Sequence, residues 1–91
     1  MSKLTAAQIK AALASVPDWK KRDVTIARTF VFKDFPAAIK FVNAVAKLAE
    51  KAGHHPDIDI RWNKVTLTLT THDVGGLTER DFSLAEQTDQ L

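Results

Sequence analysis

The 91-residue chain contains no cysteine, only three glycines and three prolines, and a formal net charge of just +2. Without cysteine there can be no disulfide, no thiolate ligand for a metal and no thiol nucleophile. The 13 lysines and arginines stand against 11 acidic residues and cluster only at Lys20-Lys21-Arg22, so no continuous basic surface for nucleic acid is expected, despite a pI of about 9.1. No apolar run approaches the roughly 18 residues of a membrane-spanning helix, and the opening Met1-Ser2-Lys3-Leu4-Thr5 lacks the apolar core of an export signal. The expectation is a cytoplasmic protein with no membrane partner. A chain this short rarely supports a second core, which excludes a multidomain enzyme and makes residues 1–91 one domain. Such a domain hides only about 60–65% of its unfolded surface, and with no disulfide staples self-association is expected to add burial.

The patterning that is present divides the chain into seven elements. Thr5-Ala6-Ala7-Gln8 is a capping box, and Ile9, Ala12 and Leu13 follow at helical spacing, predicting a helix over about 5–14 that Pro17 terminates. Short alternating runs predict strands at about 18–22 and 24–33, with Val24, Ile26, Arg28, Phe30 and Phe32 on one face. Asp34 can cap, and Pro36 can open, an alanine-rich helix reaching Lys51, where Gly53 suits a left-handed end and Pro56 keeps His55 extended. The apolar arc of this helix is wide. With one flank on a sheet, Phe41, Val45 and Leu48 are expected to remain for a second subunit. Asp57–Trp62 and Val65–Thr71 alternate on either side of a predicted Asn63-Lys64 turn, and Thr78-Glu79-Arg80-Asp81 is a second capping box, opening a last helix with Phe82, Ala85 and Leu91. The order α-β-β-α-β-β-α predicts an α+β fold: two layers, a four-stranded antiparallel sheet with three helices on one face.

All three histidines fall at element ends, where sites are commonly built on a rigid scaffold: His54 and His55 after the long helix, His72 after the last strand. An imidazole, with an ordinary pKa of about 6.5, both gives and takes a proton near neutrality, so converging histidines suit combined acid and base catalysis. Isolated surface histidines are common, and each has that plainer reading. Three imidazoles can also hold zinc, but adjacent residues in extended backbone point apart, which makes His54 and His55 a poor joint chelate. Asp81 reads first as the third residue of its capping box and second as a catalytic carboxylate. Glu50 opposes the dipole at the end of the long helix, which hints at a site, though on charge alone an ordinary solvated helix end explains it better.

Three segments together resemble the pterin-4a-carbinolamine dehydratase family: Glu50-Lys51-Ala52-Gly53-His54-His55-Pro56, Trp62-Asn63-Lys64-Val65, and Thr71-His72-Asp73-Val74-Gly75-Gly76-Leu77-Thr78-Glu79-Arg80-Asp81. Upstream, Trp19, Arg28, Phe30, Phe32, Phe35 and Ala38 are similar to the family's tryptophan, its arginine-and-phenylalanine strand and its long helix. The resemblance implies a lyase that dehydrates 4a-hydroxytetrahydrobiopterin, the pterin left by aromatic amino acid hydroxylases, to quinonoid dihydropterin. It implies no metal and no organic cofactor. It implies catalysis by His54, His55 and His72, substrate binding by Glu50, Trp62, Arg80 and Asp81, and assembly as a homodimer or tetramer. Gly53 stands where the family often has an acidic residue, and Trp62 where it often has tyrosine, exchanging a hydroxyl for an indole that only donates. The alternative implied by the same resemblance is a partner-binding or assembly factor on the retained fold.

Overall fold

Two reciprocal hydrogen bonds start the first helix. The Thr5 hydroxyl accepts from Gln8 N–H at 3.2 Å and the Gln8 side chain accepts from Thr5 N–H at 2.9 Å, so the expected capping box forms and α1 spans Ala6–Leu13. The computed structural model describes residues 2–91; Met1, where the expected domain begins, lies outside the described residues. After α1, Val16 and Trp19 enter the core, and β1 (Lys20–Arg22) and β2 (Thr25–Val31) form a hairpin. The Asp34 carboxylate caps α2 (Phe35–Ala52) by accepting from Ala37 N–H at 2.9 Å, with Pro36 in the first turn. Strands β3 (Asp57–Arg61) and β4 (Lys64–Leu69), a 3-10 turn (His72–Val74) and α3 (Glu79–Asp89) complete the predicted order.

All pairings are antiparallel and the sheet order is β1-β2-β4-β3. Ile26, Val65, Leu67 and Leu69 point to the helical layer and are buried, whereas Thr29 and Thr66 face away and bond to each other through their hydroxyls. Phe41 of α2 sits on Phe30 and Phe32, with ring centroids at 4.6 and 5.0 Å, and Trp19 meets Phe30 edge-on at 6.2 Å. At the far end of α3, one Asp89 oxygen accepts from both the Trp19 indole and the Arg28 guanidinium, each at 2.8 Å, tying α3 to the first hairpin. Among the described residues no helix is long and apolar enough to cross a membrane.

Four expectations need correction. Phe41 and Val45 do not remain for a second subunit: they face the sheet and are buried within the chain, because the α2 arc turns its aromatic side toward Phe30 and Phe32. The β3–β4 turn is Trp62-Asn63, since Arg61 pairs with Lys64. Trp62 takes a left-handed backbone (φ 52°) there, while the Asn63 side chain donates to Phe32 O at 2.8 Å and fixes the register. Strand β4 ends at Leu69 and not at Thr71, and His72 opens a 3-10 turn. Leu91 lies beyond α3 and is exposed; the inner face of that helix belongs to Phe82, Leu84, Ala85 and Thr88.

Candidate active site

The end of α2 positions the first histidine. Gly53 adopts the left-handed conformation (φ 63°), its N–H bonding to Glu50 O at 3.3 Å and the His54 N–H bonding back to Ala49 O at 3.2 Å. This paired closure satisfies two carbonyls of the last turn and locks the His54 backbone to the helix end. A side chain at position 53 would be strained in that conformation, which gives a local reason for glycine where the resembling family often carries an acid. His54 is then buried, and its Nε2 lies 2.6 Å from Asp81 Oδ1. His55 turns the other way, to the exposed rim, with Nε2 2.5 Å from Glu50 Oε2. The two imidazoles diverge, as extended backbone requires, and each is held by a different carboxylate.

Asp81 arrives from the start of α3. Its Oδ2 accepts from Thr78 N–H at 2.9 Å, completing the capping box, and from the Thr71 hydroxyl at 2.8 Å, while the Thr71 and Thr78 hydroxyls meet at 2.8 Å. The expected cap is present, and the same carboxylate makes a second contact: Oδ2 caps the helix, and Oδ1 holds the histidine. Asp81 is fully buried, and the imidazole of His54 lies between its Oδ1 and the surface. Among the described residues, no buried side-chain nitrogen or oxygen lacks a hydrogen-bond partner.

A recess of about 210 Å³ gathers Gly53, His54, His55, Thr70, Thr71, His72, Asp73 and Arg80. The three histidines expected from sequence thus line one hollow, with Arg80 beside them. Larger hollows between α1 and α3, about 350 and 380 Å³, carry glutamates and glutamine but no imidazole. Glu50 stands at the rim through its bond to His55. Trp62 is not part of this recess: it tips the β3–β4 hairpin at the opposite end of the sheet, roughly 20 Å away by strand length, and is largely exposed. Among the described residues no three histidine or carboxylate side chains gather closely enough to hold a metal ion. Sequence reasoning missed Thr71 as a site residue. Its signal was available: in the run Val65, Leu67, Leu69, Thr71 every second residue points inward, and a hydroxyl in such a place must find a buried partner.

The family model for pterin 4 alpha carbinolamine dehydratase matches residues 2–91. The chain belongs to that dehydratase family. A relative from Chloroflexus aurantiacus (strain J-10-fl), provisionally named pterin-4-alpha-carbinolamine dehydratase, is 58% identical over 91 residues, covering all of this chain and 98% of its own. One from Roseiflexus sp. (strain RS-1), with the same provisional name, is 54% identical over 90 residues, 99% of this chain and 97% of its own. Among solved structures, a transcriptional coactivator/pterin dehydratase from Brucella melitensis superimposes with a TM-score of 0.94 at 37% identity, over 98% of this chain and 97% of that one. A pterin dehydratase-like protein identified as a RuBisCO assembly factor in the alpha-carboxysome gives 0.66 at 25% identity, over 79% and 83%.

Proposed function

We propose that this dehydratase-family chain removes water from a 4a-hydroxytetrahydropterin by histidine acid–base catalysis, acting in the cytoplasm to recycle the pterin used by aromatic amino acid hydroxylases. In the reaction the C4a–O bond breaks as a proton reaches the departing hydroxyl, N5 gives up its proton, and a C4a=N5 bond forms, yielding quinonoid dihydropterin and water. The observation that carries the reading is the convergence of His54, His55 and His72 on one recess, with His54 backed by a buried carboxylate. His54 and His72 are assigned the principal proton transfers. His54 is rigidly oriented, which suits the removal of a proton from a fixed atom; His72 is exposed and free to follow the departing hydroxyl. His55, held by Glu50, helps bind the pterin and serves as a second acid, and Arg80 contributes hydrogen-bond donors at the same wall. None of these assignments needs a metal or an organic cofactor.

The test is a dehydratase assay on chemically generated 4a-hydroxytetrahydropterin, with and without EDTA. Acceleration that survives chelation supports the reading; loss on chelation with recovery on zinc would replace it with a metal-dependent one. The second reading, an assembly or partner-binding role, is favoured by one observation, the likeness to the RuBisCO assembly factor. No acceleration together with tight binding of a protein partner would select it. Self-association belongs to the first reading. With Phe41 and Val45 buried in the chain, apolar surface for a second copy is offered by the β3 edge of the sheet, where Ile58 and Ile60 are each 38% exposed.

A further inference from the structure

We propose that Thr71 is a positioning residue for this reaction, holding Asp81 so that His54 is fixed as its Nε2–H tautomer and works through Nδ1. The part that concerns the reaction rests on the proposed dehydratase activity; the part that concerns the tautomer does not.

The direction of the hydrogen bonds carries the argument. A backbone N–H can only donate, so Thr78 N–H donates to Asp81 Oδ2 at 2.9 Å, and Arg80 N–H donates to the Thr78 hydroxyl at 3.3 Å. A carboxylate only accepts, so the Thr71 hydroxyl spends its single proton on Asp81 Oδ2, 2.8 Å away. The 2.8 Å contact between the two threonine hydroxyls then has one consistent direction, from Thr78 to Thr71. Every proton in the chain is aimed at Asp81. With two donors on Oδ2, Oδ1 remains as the acceptor for His54, and the shared proton at that 2.6 Å contact belongs to Nε2. In the neutral ring the lone pair is therefore on Nδ1. That atom has no hydrogen-bond partner within the described residues, and no buried polar side-chain atom there is left unpaired, so Nδ1 reaches the surface.

Thr71 is well placed for this work because it is itself 3% exposed and directly precedes His72 in the chain. The Thr71 N–H bonds Gly76 O at 3.0 Å, closing the loop that carries the 3-10 turn. One residue thereby fixes the support of His54 and the start of the turn that carries His72.

The experiment measures the His54 tautomer by long-range proton–nitrogen correlation on the uniformly labelled full chain, at a pH where the ring is neutral, together with steady-state kinetics on 4a-hydroxytetrahydropterin. Wild-type protein should show a protonated Nε2 and a bare Nδ1; the reverse assignment overturns the proposal. Thr71→Val should give mixed tautomers and a kcat lowered roughly 10-fold or more with KM little changed, the scale of losing one hydrogen bond to a charged group. Thr71→Ser should restore both. Should Thr71→Val not fold, Thr71→Ala carries the same test without a methyl group against Asp81. A variant that is only less heat-stable, with tautomer and kcat unchanged, refutes the positioning role. If wild-type protein has no dehydratase activity, the functional reading fails while the spectrum still decides the tautomer.

Discussion

Replacing Asp81 by asparagine separates the two tasks that this carboxylate combines. The carboxamide oxygen can take over Oδ2, accepting from Thr78 N–H and the Thr71 hydroxyl, which preserves the start of α3. The amide nitrogen must then occupy the place of Oδ1, 2.6 Å from His54 Nε2, where a donor faces a donor. The ring escapes by moving its proton to Nδ1, leaving Nε2 to accept. A charge-assisted hydrogen bond worth roughly 1.5–3 kcal/mol becomes a neutral one worth about 0.5–1.5, so the expected loss of stability is about 1–2 kcal/mol. The catalytic loss should be far larger. His54 now presents a hydrogen where a lone pair is required, and turnover should fall by roughly 10²–10⁴-fold, the range for losing a correctly protonated general base. Thermal unfolding followed by circular dichroism and stopped-flow dehydration of 4a-hydroxytetrahydropterin measure the two effects separately. Turnover within about threefold of wild type would refute the account, because it would show that the His54–Asp81 contact does not govern the chemistry. Asp81→Ala is the control. It leaves Thr71, Thr78 N–H and His54 without their shared buried acceptor, and should destabilise by about 3 kcal/mol or more.

His54→Ala and His72→Ala should each lower kcat by roughly 10²-fold or more with folding little changed, and the double variant should lose less than the product of the two if both act in one step; unchanged turnover in either removes that residue from the mechanism. Phe41→Ala removes the ring between Phe30 and Phe32 and should cost about 3–5 kcal/mol in chemical denaturation. A loss under 1 kcal/mol would show that α2 is held to the sheet by something other than this aromatic contact. Light scattering at micromolar concentration should give the mass of an oligomer, and Ile60→Lys on the β3 edge should reduce it to a monomer. A monomeric wild type would mean that this edge is left to solvent.

Much of the fold was legible because its signals are local. Thr5 with Gln8, Asp34 with Pro36, Gly53, and Thr78 with Asp81 each act within a few residues, and each begins or ends the helix that it was expected to. The misreadings share the opposite cause. The turn sits at Trp62-Asn63 because the Asn63 side chain is captured by Phe32 O, a partner 31 residues away. Periodicity leaves Phe41 and Val45 to an outer flank because it gives the width of an apolar arc but not which part of it meets the sheet. Leu91 matches a pattern that the chain leaves before reaching it, as α3 ends at Asp89.

The site shows the same division at closer range. Three histidines at element ends were visible as candidates, but not what holds each one, since the His54–Asp81 contact joins residues 27 apart. What places them together is a property of helix ends. The C-terminus of α2 must close with a left-handed residue, and that closure fixes His54 as the next residue in line. The N-terminus of α3 must satisfy its free N–H groups, and that requirement brings a carboxylate to Asp81. Packing α2 against α3 then sets the two termini side by side, so that an oxygen left over from capping meets an imidazole left over from helix closure. On this account the His54–Asp81 pair adds little to the cost of folding, because each partner already belongs to a structural motif. Beyond those motifs the pair recruits the Thr71 hydroxyl, which comes from the inward line of β4 and bonds both Asp81 and the Thr78 cap.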